Sequence, residues 1–162
     1  MDSTFGINGQ FIAMMGAALA YFLPATASGI GGRMVAEAAN GVLAEDPTKF
    51  GRCLILQAIT GTQGIYGLII AFLILQSIGV IGGTPADISV TTGLYFFASA
   101  LPVGIAAWTT GVSQGRAAAA GVGLIAKRPD ELGKAMVHAV MIETFQIFGL
   151  LLSFLMLNSI QI

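Results

Sequence analysis

Glu143 is the one acidic side chain near the middle of a long hydrophobic segment, the apolar run from Ala135 to Ile160. The other acidic residues keep to ends and polar links: Asp2, Glu37, Glu45, Asp46, Asp87, Asp130 and Glu131. A lone carboxylate at bilayer depth is costly unless a proton or cation neutralises it, or donors hold it. Other polar side chains fall at matching depth. At about 1.5 Å of rise per residue, Gln63 lies ~21 Å beyond Lys49, Gln114 ~20 Å before Lys127, and Glu143 ~18 Å beyond Glu131. Ile59, Thr62, Gln63 and Tyr66 also follow the three-and-four spacing of one helix face.

Together these residues form an oxygen-only set. Glu143 supplies charge, Gln63 and Gln114 supply amide oxygens, Thr62 supplies a hydroxyl, and the Ile59 carbonyl can complete the set because Gly61 thins the helix there. Tyr66 can donate its hydroxyl hydrogen to the carboxylate. Hard cations take oxygen ligands, whereas zinc and copper recruit imidazole or sulfur. One carboxylate matches one positive charge, so Na⁺ is the natural cargo and H⁺ the alternative. A proton carrier needs neither glutamine. The plainer roles are a protonated carboxyl used for packing, glutamines as interhelical hydrogen-bond glue, Thr62 bonded back to its own helix, and Tyr66 as filler. His138, five residues before Glu143, is off its face, while Gln146 is close enough in helix spacing to touch the carboxylate's surroundings.

The chain that must position these groups has 162 residues, 56% hydrophobic and only 9% charged. Soluble domains carry about 25% charged residues. Apolar segments at roughly 11–43, 52–81, 92–126 and 134–160 each meet the ~20 residues a membrane helix needs. The expected fold is all-α and multi-pass, with four transmembrane helices. The N-terminus, starting with Asp2, lacks the basic region of a signal peptide, and the single Cys53 excludes an internal disulfide. A net charge of −1 without a basic patch argues against nucleic acid, and no GxxxxGK[ST] loop is present to bind ATP. All seven basic residues lie near the links at 45–51 and 127–133, with Arg33 and Arg116 placed to snorkel. The positive-inside tendency puts both links in the cytoplasm and both termini outside.

An internal repeat runs through the chain at a spacing of 82. Leu19 pairs with Leu101, Gly29 with Gly111, Pro47 with Pro129, Thr62 with Thr144, Gly67 with Gly149, and Phe72-Leu73 with Phe154-Leu155. Two units follow, a first helical hairpin over 1–81 and a second over 82–162. The carboxylate is not duplicated, because Gly61 stands opposite Glu143. The first and third helices are rich in glycine and alanine and the others are bulkier, which suits either close packing in one copy or an inner wall in a ring of copies.

Three stretches carry a family resemblance: Gly61-Thr62-Gln63-Gly64-Ile65-Tyr66-Gly67, Ser113-Gln114-Gly115-Arg116 with the alanines after it, and Ile142-Glu143-Thr144. They resemble the proteolipid rotor subunits of V-type and A/V-type ATPases, and most closely the K subunits of bacterial sodium-pumping V-type ATPases. The resemblance covers nearly the whole chain. It implies a homo-oligomeric ring in membrane lipid, in a bacterial plasma membrane, turned by a soluble ATP-driven sector whose central stalk meets the cytoplasmic links. A separate stator subunit would set an arginine beside the ring. It also implies Glu143, Gln114, Gln63, Thr62 and the Ile59 carbonyl as Na⁺ ligands, with Tyr66 supporting the carboxylate. Ile59, Thr60, Phe145 and Gln146 depart from the usual pattern. A proton-carrying rotor and a membrane scaffold or channel are the remaining readings, the last weakened because no helix carries the wide polar stripe of a water-filled pore.

Overall fold

The computed structural model describes residues 8–161, so Asp2 lies outside the described part. Helix α1 spans Gly9–Glu45, α2 Phe50–Ile59, α3 Thr62–Ser77, α4 Val90–Lys127 and α5 Leu132–Asn158. Asn8 opens α1 by accepting from the Phe11 amide at 2.8 Å, and Ser89 opens α4 by accepting from Thr92 N at 3.1 Å. Such caps satisfy amides that have no partner within the helix. With α2 and α3 taken as one crossing, four stretches among the described residues are long and apolar enough to span a membrane. The all-α, four-crossing architecture expected from the apolar segments is the one observed.

The second crossing departs from the unbroken helix expected over 52–81. It is interrupted at Thr60–Gly61 and stops at Ser77. At the break the Thr60 hydroxyl takes the Gln57 carbonyl at 2.7 Å, while the Thr60 and Gly61 amides reach only three residues back. This is a hydroxyl competing with the helix ladder, without a proline. Gly79 and Gly82 end the crossing with φ of 73° and 76°, a left-handed region that L side chains rarely enter.

Both basic links form short 3₁₀ turns opened by proline, Pro47–Lys49 and Pro129–Glu131. Asp46 caps the first, accepting from Thr48 N at 3.0 Å and pairing with Lys49 Nζ at 3.2 Å. The Thr48 hydroxyl, then Lys49, hold its carboxyl below the usual 3.8. Lys49 Nζ also donates to the Ala126 carbonyl at 2.8 Å, so the two links sit side by side at one end of the molecule.

The glycine-rich helices α1 and α4 lie against each other. A Cβ on Gly31 would come within 2.8 Å of the Gly111 carbonyl oxygen, so the two backbones touch where side chains would separate them. The duplicated hairpin is visible in the packing. Gly67 rests on Ala20 and Pro24, and 82 residues later Gly149 rests on Pro102 and Ala106. Phe72, Phe148, Leu151 and Leu155 on α3 and α5 face outward.

The buried side chains form two apolar clusters at opposite ends. One gathers Ala13, Ala20, Ile70, Ile74, Phe96 and Val103; the other gathers Val35, Leu56, Ala118, Val122, Ile125 and Ala139. Between them, by position along the helices, lies a polar layer.

Candidate functional site

The polar layer is assembled from α3, α4 and α5. Gln63 opens the first turn of α3, just after the break, and Tyr66 follows one turn later. Gln114 comes from the middle of α4 and Glu143 from the middle of α5. Gln63 and Gln114 are fully buried, and Glu143 is 7% exposed. A charge so placed can persist only with donors on its oxygens.

Glu143 has a donor on each oxygen. The Tyr66 hydroxyl donates to Oε1 at 2.5 Å, and Gln114 Nε2 donates to Oε2 at 3.1 Å. Behind Gln114 the bonds continue in one direction. Gln63 Nε2 donates to Gln114 Oε1 at 3.0 Å, and the Thr110 hydroxyl reaches both Gln63 Oε1 at 3.0 Å and the Ala106 carbonyl at 2.7 Å. The result is a relay from Thr110 through two amides to the carboxylate. Polarised chains of this kind strengthen each member.

The structure thus brings Glu143, Gln114, Gln63 and Tyr66 into one hydrogen-bonded group. Thr62 and Ile59 stand apart from it, the Thr62 hydroxyl donating to the Ile59 carbonyl at 2.9 Å. Both amide oxygens expected to face a cation are turned elsewhere, Gln114 Oε1 to Gln63 and Gln63 Oε1 to Thr110. The cause is the carboxylate, which accepts and cannot donate, and so draws the Gln114 NH₂ towards itself. Two residues missing from the sequence reading belong to the layer. Thr110 lies four positions before Gln114 on α4, a same-face spacing that could have flagged it. Ser28 accepts from the Gly64 amide at 3.0 Å and steadies the start of α3. Among the described residues no cluster of three or more His, Cys, Asp or Glu side chains could hold a metal ion. Any cation here would depend on one carboxylate and neutral oxygens.

A sequence model of the ATP synthase C subunit matches residues 15–74 and again 97–156. The two matches are offset by 82 residues, the spacing of the internal repeat. The chain belongs to the ATP synthase C subunit family. It is similar to the V-type sodium ATPase subunit K of Enterococcus hirae, 39% identical over 149 residues that make up 92% of each protein. It is also similar to the A-type ATP synthase subunit K of Methanocaldococcus jannaschii, 38% identical over 151 residues, 93% of this chain and 64% of that longer protein. Within this family, then, the protein is a multi-pass membrane rotor subunit of the V/A-type ATPases, in the form with duplicated hairpins.

Proposed function

We propose that this protein carries Na⁺ across the membrane on Glu143, as one member of a ring of identical copies. The observation behind this reading is the buried carboxylate with a donor on each oxygen and an amide relay behind it. A Na⁺ ion arriving at the carboxylate needs oxygens where Gln114 now presents NH₂. The relay permits that exchange. If Gln114 turns over, its Oε1 faces the ion and its Nε2 faces Gln63; if Gln63 follows, its Nε2 meets the Thr110 hydroxyl. Thr110 can accept because its own hydrogen already has the Ala106 carbonyl as partner. Each amide keeps its hydrogen bonds, reversed in direction. Thr62 and the Ile59 carbonyl, beside the break in the second crossing, complete the oxygen set on the α3 side. Tyr66 remains a donor to the carboxylate throughout.

The likeness to the sodium ATPase protein supports Na⁺ as cargo. The rest of the machine follows the same reading: a stator subunit presents a cation that displaces Na⁺ from Glu143, and the central stalk grips the cytoplasmic basic links. Both termini then lie outside, and each hairpin, 1–81 and 82–162, forms one repeat unit. One observation favours the proton alternative. Both glutamine oxygens are engaged within the chain, and a proton would need neither amide to turn. Carbodiimide labelling of Glu143 in purified rings separates the two, since the reagent attacks the protonated carboxyl. Sodium cargo predicts that labelling slows in a saturable way as Na⁺ rises at fixed pH. A rate independent of Na⁺ would transfer the assignment to the proton.

A further inference from the structure

The relay leaves one buried polar side chain unused. Gln146 lies on α5 one turn beyond Glu143 and is fully buried within a single copy. Its Nε2 donates to the Val103 carbonyl at 3.1 Å, and among the described residues its Oε1 has no hydrogen-bond partner. Turning the amide over would set Oε1 against another carbonyl oxygen and leave the NH₂ without an acceptor, so the Val103 contact fixes which atom is left over. Next to it, Ser153 Oγ accepts from the Val103 amide at 2.9 Å. Side chains of α5 thus engage both polar groups of Val103, directly after Pro102, which has no N–H to give the ladder.

An unpaired amide oxygen at this depth has no solvent to turn to, and a neighbouring copy in a ring cannot reach an atom its own chain already covers. Its requirement is for a donor. Glu143, three residues earlier on the same face, has Cβ roughly 5–6 Å from that of Gln146 and further lone pairs on both carboxylate oxygens. Two acceptors at that separation suit one small molecule with two donor hydrogens. We propose that Gln146 Oε1 and the Glu143 carboxylate hold one occluded water between them, and that the lone pairs of this water face the transported cation. The inference rests on Na⁺ as cargo. It gives the ion a further oxygen ligand supplied through the protein, and it makes Gln146 a positioning residue for the cation.

The test compares purified rings of the parent with Gln146→Met, which keeps volume and cannot hydrogen-bond, and Gln146→Glu, which when protonated keeps the same carbonyl oxygen and an O–H for Val103. Na⁺ affinity is read from protection against carbodiimide, and bound water from Na⁺-induced infrared difference bands in H₂¹⁸O. The proposal expects an isotope-sensitive water band in the parent and in Gln146→Glu. In Gln146→Met the band should vanish and Na⁺ affinity should fall about tenfold, the loss of one charge-assisted water bridge. Unchanged affinity in Gln146→Met, or weakened affinity with no water band in the parent, overturns the water. If Gln146→Met fails to assemble, the band in the parent and in Gln146→Glu decides. Absence of saturable protection in the parent itself defeats sodium cargo, and this inference with it.

Discussion

Replacing Glu143 with glutamine should end ion carriage and leave the helical bundle intact, for reasons that can be counted bond by bond. In the parent, Tyr66 and Gln114 both donate to the carboxylate. The substituted amide can accept from Tyr66 through its oxygen, but its NH₂ then faces the NH₂ of Gln114. Two donors cannot face each other, so Gln114 must turn over, and Gln63 after it, until Thr110 accepts at the end of the relay. The number of hydrogen bonds is conserved and a buried charge is removed, so stability should change by no more than about 1 kcal/mol. Ion binding should change far more. One unit charge acting on Na⁺ at about 4 Å is worth ~4 kcal/mol at an effective dielectric of 20, which corresponds to roughly a thousandfold in affinity. Radioactive Na⁺ binding to purified rings and ATP-driven Na⁺ uptake into vesicles measure that loss, and ring yield with thermal dissociation measures assembly. Na⁺ affinity within tenfold of the parent would refute Glu143 as the carrier. Adding Thr110→Val to the substituted ring removes the last acceptor and strands the Gln63 NH₂, so this double variant should dissociate at clearly lower temperature, by ~1–3 kcal/mol. An unchanged dissociation temperature would refute the reversed relay.

Two further outcomes concern the frame around the site. Gly31→Leu pushes a side chain into the backbone of α4, where even a Cβ would lie 2.8 Å from the Gly111 oxygen, so assembly should fail or lose more than the ~1–3 kcal/mol typical of overpacking; parent-like ring yield would disprove the close approach. Because the Asp46 carboxyl is held below its ordinary value, its cap on the first basic link should be complete above the usual carboxylate range and be lost only as pH falls through that lowered value. Hydrogen exchange at the Thr48 amide should therefore accelerate at acid pH in the parent, and be fast and free of that acid transition in Asp46→Asn.

Much of the frame was legible because membrane helices obey few rules. Backbone groups in hydrocarbon must pair internally, so long apolar runs between polar links had to be helices, and counting residues from the links gave depth. That count placed Gln63, Gln114 and Glu143 at one level, and the structure joins them by hydrogen bonds. The break at Thr60–Gly61 was not legible, because no proline marks it and the decisive event is a hydroxyl reaching the Gln57 carbonyl. Thr110 escaped because a helical threonine usually satisfies itself on its own ladder. It does so here with Ala106 while also serving Gln63. The orientation of the two amides was beyond sequence altogether. Residue types state how many donors and acceptors exist, and only packing determines which neighbour each one meets.

The asymmetry between the hairpins is the remaining step. Displaced by 82 residues, the positions of Glu143, Gln114 and Gln146 fall on Gly61, Gly32 and Gly64, and those of Gln63 and Tyr66 have Phe145 and Phe148 as counterparts. Three polar side chains are thus matched by glycines and two by phenylalanines. What survives at the equivalent place in the first hairpin is Ser28, the counterpart of Thr110, and it accepts from the backbone amide of Gly64. A backbone contact has closed the space that the second hairpin uses for chemistry, and no ionisable group is left there to carry charge. On the proposed reading, each copy then moves one ion for four membrane crossings. A ring with a given number of helices holds half the carriers of one built from single hairpins with a carboxylate on each. With the ATP used per turn held constant, each ion receives twice the free energy, so such a rotor can drive ions against a steeper gradient while moving fewer of them.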